Sequence, residues 1–291
     1  VGSASDAEGW ITAAAPAAWT GAADADWTAE GNWSRGVPST ALPARIDLPD
    51  ATPVVPADTT APTAGTIDLA AGTLKVLGTL PVTIAEESAR FVVGSAATLA
   101  LAGAGQVQAN AAAGVNDYAL ALAGGTVAVQ DTAHLDLTGS RGLLGTGRVT
   151  IDSDNEAALY VMGASAAFTR LSTGDDPGTL EIVTGRGGFY GKDAAYLVIG
   201  DDQRGTLRMR VTDAGADNDT AAVVAGVTPR RTTIGARRGR AEVELASGTL
   251  YAGNWGIWLG AADTDTAAVT GRVTVAGGRM SISSGYYDGS W

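Results

Sequence analysis

The chain lacks cysteine and has a single histidine, His134, among its 291 residues. This excludes a disulfide framework, a thiolate zinc site, a cysteine nucleophile and a multi-histidine metal centre. Lysine occurs only as Lys75 and Lys192, so 17 of the 19 basic residues are arginine. Charged residues make up 17%, below the usual quarter. Thirty-one acids against 19 bases leave a net charge of −12, which argues against fold-wide affinity for nucleic acid or anionic membrane. No run of 18 apolar residues occurs, so no transmembrane helix is expected. What the chain has in excess is glycine, 40 residues, nearly double the usual share. Its 45% hydrophobic content excludes global disorder, and its length suits one large all-β domain or two ordinary ones.

Residues 1–64 differ from the rest. Residues 1–62 hold four of the seven tryptophans, Trp10, Trp19, Trp27 and Trp33, and seven of the ten prolines. Eight acids against Arg35 and Arg45 give that stretch −6, half the total charge. Proline at this density excludes a long helix or a central strand. A short aromatic cap followed by an extended connection is expected over 1–64, the tryptophans forming either a small local core or an interface. The opening VGSASDAEGW has neither an initiator methionine nor an apolar signal core. It reads as a mature exported chain, with a trimmed chain as the alternative.

From Gly65 the texture changes to short alternating strands. GTVAVQDTAHLDLTG (125–139), GTLEIVTG (178–185), GRAEVELASG (239–248) and GRVTVAGG (271–278) open with glycine and then alternate with period two. No helical period is sustained. The strands recur in a larger unit anchored by Gly200, Gly235 and Gly260, with a looser copy around Gly94. Such recurrence predicts an all-β β-solenoid over 65–291, with a β-sandwich or jelly roll as the rival. At roughly 20 to 25 residues per coil, that span holds about nine or ten coils.

The segment WTGAADADWTAEGNWSRGVPSTALPARIDL (19–48), with its W-x-G, D-x-x-W and G-N-W-x-x-G-x-P, resembles the start of secreted bacterial β-helical repeat proteins. The later apolar-Gly…Gly-Thr-Leu/Val units resemble the repeats of autotransporter passengers and surface-anchored proteins. The resemblance implies a right-handed β-helix, export and a place at the cell surface. It implies no activity and no active-site residues.

Several residues invite chemistry. Asp152 with Asp154, Asp217 with Asp219, and Asp263 with Asp265 place carboxylates on alternate loop positions, where calcium could take its oxygens. The same residues also serve turns with no metal. Asp201 with Asp202, or Glu242 with Glu244, could be the paired acids of a carbohydrate-cleaving β-helix. Glu242 and Glu244 alternate with Val243 and Leu245, however, which is the pattern of a solvated strand face. His134 shares a strand face with Asp136, without the partners of a triad. GRGGFYGK (185–192) lacks phosphate-loop spacing and, with Phe189 and Tyr190, reads as an excursion between coils, a sugar-stacking position being the alternative. Arg230, Arg231, Arg237, Arg238 and Arg240 form one basic cluster, either a set of solvated turn charges or a surface that suits an acidic polymer or an acidic surface on another copy. Trp255, Trp258, Tyr286, Tyr287 and Trp291 gather near the other end, where aromatics favour an interface. They either close their own coil or meet the tryptophans of residues 1–64 in the next copy.

The expected role is therefore structural: an exported surface or matrix protein, self-assembling head to tail into fibres. A carbohydrate-binding or carbohydrate-cleaving β-helix is the alternative, with surface polysaccharide as its partner. No resident cofactor is expected beyond calcium at the acidic loops.

Overall fold

The computed structural model describes residues 15–85, 90–111, 118–138, 142–155, 158–162, 168–191, 196–201, 203–212, 222–224, 231–236, 240–252, 257–261 and 269–282. The chain is an all-β solenoid of stacked parallel strands. β1 (Ala17–Ala18), β2 (Ala44–Asp47) and β3 (Val54–Val55) come first. Four coils follow: β4 (Ile67–Val76) with β5 (Thr79–Ile84), β6 (Phe91–Leu101) with β7 (Gln106–Ala111), β8 (Leu120–Asp131) with β9 (His134–Thr138), and β10 (Gly142–Ser153) with β11 (Leu159–Met162). The next coils carry three strands each. These are β12 (Phe168–Ser172), β13 (Thr179–Thr184) and β14 (Gly188–Gly191), then β15 (Tyr196–Asp201), β16 (Thr206–Val211) and β17 (Ala222–Val224). The last are β18 (Arg231–Ala236), β19 (Arg240–Leu245) and β20 (Thr249–Ala252), then β21 (Ile257–Ala261), β22 (Thr270–Val275) and β23 (Arg279–Ile282). No helix among the described residues is long and apolar enough to cross a membrane.

Three faces result. The first holds β12, β15, β18 and β21, and the second holds β13, β16, β19 and β22. The long strands β4, β6, β8 and β10 each serve both. The third is the separate sheet from β5 to β23. Glycine makes the corner between the first two faces. Gly200, Gly235 and Gly260, the repeat anchors, have φ of 79°, 70° and 65°, which L side chains adopt only under strain. A Cβ at Gly235 would also lie 2.5 Å from the Thr270 carbonyl oxygen.

Period-two alternation sends every second residue inward, and parallel register stacks those residues into columns. On the first face the column runs Ala17, Ala44, Ile67, Phe91, Leu120, Leu143, Leu171, Ile199, Ile234 and Leu259. On the second it runs Leu74, Leu99, Val127, Val149, Ile182, Met209, Val243 and Val273. On the third it is Leu80, Val107, Leu135, Leu159, Phe189, Leu250 and Met280, with Val223 at the same register position by its backbone. Successive numbers in that third column differ by 27, 28, 24, 30, 34, 27 and 30. Coils are therefore longer and fewer than expected, about seven turns between β5 and β23, because corners and inter-strand loops consume residues that the strand pattern does not count.

The ladder also reaches into the proline-rich stretch. β1 pairs with β2, β2 and β3 pair with β4, and isolated parallel bridges join Thr60 to Thr79 and Ala64 to Val82.

Candidate functional site: the outer faces of the solenoid

Outward residues stack as strictly as inward ones. On the second face, register sets Arg148, Glu181, Arg208, Glu242 and Arg272 in one column, basic and acidic in turn. Arg148 lies 3.0 Å from Glu181, and Arg208 lies 3.1 Å from Glu242. Arg240 on the same strand as Glu242 adds a contact at 2.8 Å. Beside this column Arg210 is 3.2 Å from Glu244 and 3.9 Å from Glu181. Glu181, Arg208, Arg210, Glu242, Glu244 and Arg272 line a groove of about 390 Å3. The Arg240 hydrogen bond pulls the Glu242 carboxyl below its ordinary range, Arg208 adds to this, and partial burial opposes it.

That shift bears on chemistry. A glycosidase acid needs a carboxyl held protonated near neutral pH by a raised pKa. Glu242 moves the other way, and both it and Glu244 are neutralised by arginine. The pair expected as candidate hydrolytic acids forms a charge ladder.

The acidic loops behave similarly. Asp152 and Asp154 do converge, as alternate residues should, but on Arg186 from the next coil, each at 2.7 Å. The hydrogen bond that Arg186 donates to Asp152, then the charges of both aspartates, hold the Arg186 guanidinium above its ordinary range. The two carboxylates expected to share calcium thus share an arginine. No group of three metal-ligating side chains occurs among the described residues. Asp217, Asp219, Asp263, Asp265 and Asp202 lie outside them, as do Arg230, Arg237 and Arg238. Asp201 is buried at the corner of the first face, 3.0 Å from Arg170, and its carbonyl accepts a 2.7 Å hydrogen bond from the Ser172 hydroxyl. Next to it the buried Gln203 amide accepts from Thr173 N–H and donates to the Arg240 carbonyl. This network bridges coils; period-two reading had no signal for it because its members sit at corners.

The tryptophans divide. Trp19, Trp27 and Trp33 are buried. Their rings pack edge to face, with Trp33 centred 5.0 Å from Trp19 and 4.7 Å from Trp27. The Trp33 indole N–H donates to the Trp27 carbonyl at 2.8 Å. Beneath them Asn32 is fully buried: its oxygen accepts from Ala23 and Asp24 N–H, and its amide donates to the Asp24 carboxylate and Asp26 carbonyl. The G-N-W sequence is thus a folding latch, and these three rings form a local core. Trp258, by contrast, is 48% exposed. Trp10, Trp255, Tyr286, Tyr287 and Trp291 lie outside the described residues.

The third face has another texture. Its outward column reads Gln108, Asp136 and Tyr160, with Tyr190 next in register. Gln106 and His134 pair in a parallel column beside it. The His134 and Tyr160 rings are centred 6.1 Å apart at 31°. His134 Nδ1 lies 3.4 Å from the Asn155 amide nitrogen, and the Thr138 hydroxyl donates to the Asp136 carboxylate. The expected excursion at 185–192 is instead in part a strand, β14, and Phe189, the alternative sugar-stacking residue, is fully buried in the core column. Comparison of the chain with protein-family models, with characterised proteins and with solved structures finds no match.

Proposed function

We propose that the chain is a structural module: a rod of stacked β-coils, exported to the cell surface or extracellular matrix, that joins head to tail with copies of itself into fibres. One observation carries the reading. The exposed large hydrophobics of the described chain are Leu48, beside β2, and Trp258, Leu259, Val275 and Met280, on β21, β22 and β23. Leu259 and Met280 follow column members that are buried wherever their burial is described, and Val275 follows buried Leu245 in register. Among the described residues β21, β22 and β23 pair only with β18, β19 and β20, and such an edge strand with exposed apolar positions is a template for another strand.

Charge supports the same partner. Residues 15–64 carry six acids against Arg35 and Arg45, whereas residues 231–282 carry six arginines against four acids. Leu48 borders a groove of about 510 Å3 with Trp19, Pro49 and Ala51, rimmed by Asp24 and Asp50. A contact between such unlike surfaces is heterologous; it does not close and so propagates into filaments. Export is supported by the resemblance of residues 19–48 to the opening segment of exported β-helical repeat proteins.

Light scattering after size exclusion, with negative-stain electron microscopy, tests this. The expected result is fibres of constant width that lengthen with concentration. Leu259→Lys with Val275→Lys changes positions already exposed, so it leaves the coils folded and yields single rods. Wild-type rods that stay monodisperse at every concentration refute the reading.

A further inference from the structure

The third face carries a chemistry that a rod does not require. We propose that its outer surface, centred on Asp136 and Tyr160, is a binding site for a neutral polysaccharide lying along the solenoid axis. The inference goes beyond the structural reading and does not depend on assembly.

Three observations lead there. The first is register. Gln108, Asp136, Tyr160 and Tyr190 occupy successive strands, one step of about 4.8 Å apart, with Tyr251 further along the same row after Val224. A row of this kind repeats along one direction, as a polymer does. The second is side-chain type. Sugar rings present apolar C–H faces and hydroxyls that both donate and accept. Tyr160 and His134, tilted rings 6.1 Å apart, offer apolar plates with polar edges. Gln106 and Gln108 bring amides, each with two donors and an acceptor, and Asp136 is a pure acceptor. The Thr138 hydroxyl bound to Asp136 and the Asn155 amide beside His134 hold both groups in place.

The third is charge. Among the described residues of β7, β9 and β11, Asp136 is the one carboxylate and no lysine or arginine occurs. On these described strands an anionic polymer would meet the Asp136 carboxylate and no cation, whereas a neutral glycan meets hydrogen-bonding groups and rings. The second-face arginines Arg148, Arg208 and Arg210 are engaged with Glu181, Glu242 and Glu244.

Affinity gel electrophoresis of the full chain tests the site, with hydroxyethylcellulose, xylan or dextran cast into the gel and polygalacturonate as the anionic probe. At least one neutral polymer is expected to retard the protein, and polygalacturonate is not. Tyr160→Ala should weaken retardation about tenfold. Tyr160→Phe, which keeps the ring, should retain most of it, and Arg208→Ala on the second face should change nothing. Unfolding midpoints confirm that each variant is folded. No retardation by any neutral polymer, stronger retardation by polygalacturonate, retardation indifferent to Tyr160, or equal loss in Tyr160→Phe and Tyr160→Ala would each overturn the proposal. Fibre formation is read separately by scattering, so failure of one proposal leaves the other standing.

Discussion

The second and third faces share a backbone plan and differ in what they show to solvent. Both run in parallel register and both fill their inner columns with Val, Leu, Ile, Met or Phe. Outside, one carries Arg148, Glu181, Arg208, Glu242 and Arg272 in alternation; the other carries Gln108, Asp136 and Tyr160. The inner alternate positions specify the coil, and the outer ones are left free to be charged or neutral. Stability should therefore be insensitive to which face is struck from within, and chemistry should depend on which face is struck from without.

The sharpest way to break this comparison is to cut both cores. Ile182→Ala beneath the charged face and Phe189→Ala beneath the neutral one each remove a fully buried side chain. Each should destabilise by about 3–5 kcal/mol, read as a lowered urea midpoint. A much smaller cost at Phe189 would show that the third face packs more loosely than the second.

The next largest effect concerns burial of charge. Asp201 is 5% exposed and its partner Arg170 22%, whereas the ladder arginines are about half exposed. Asp201→Asn should cost about 3 kcal/mol, the low end for a broken buried pair, because Arg170 keeps some water. A cost below that of any ladder substitution would mean that register, rather than desolvation, sets the value of these pairs.

Glu242→Gln should cost less, about 0.5–1 kcal/mol, since its arginine partners are exposed and screened. Its pH dependence has a definite sign. The folded carboxyl lies below its ordinary value of 4.5, so its stabilisation is fully present above pH 4.5 and is lost as pH falls through the folded value. Wild type should therefore lose its advantage over Glu242→Gln below pH 4.5. An advantage that persists at pH 2 would remove the ladder as its source.

How much of this was legible in the sequence follows from the same geometry. Strands and inward residues could be read because period two needs only local alternation, as in Thr179–Thr184 or Arg240–Leu245. The corner glycines were visible as the repeat anchors Gly200, Gly235 and Gly260. Register between coils was not legible, because steps of 24 to 34 residues hide which residue stacks on which. Glu242 was correctly placed on a solvent face, but its neighbours Arg208 and Arg272 were 34 and 30 residues away. The same blindness hid Asp136 beneath Tyr160 and Arg186 between Asp152 and Asp154. Asn32 had a local signal, the G-N-W sequence, whose four hydrogen bonds emerge only when residues 23–26 fold over it.

The smallest effect separates the faces most cleanly. Gln108→Ala removes a half-buried outward amide from the neutral face and should change stability by less than about 0.5 kcal/mol. Arg208→Ala on the charged face should cost a similar amount in dilute buffer, so magnitude alone does not tell the two apart. Salt does. The Debye length falls from about 10 Å at 0.1 M to about 3 Å at 1 M, which screens exposed ion pairs and leaves amide contacts untouched. The Arg208→Ala difference should therefore shrink toward zero in 1 M sodium chloride, while that of Gln108→Ala stays constant. Equal salt sensitivity would mean that the neutral face is also held by charge, and the contrast between the two faces would fail.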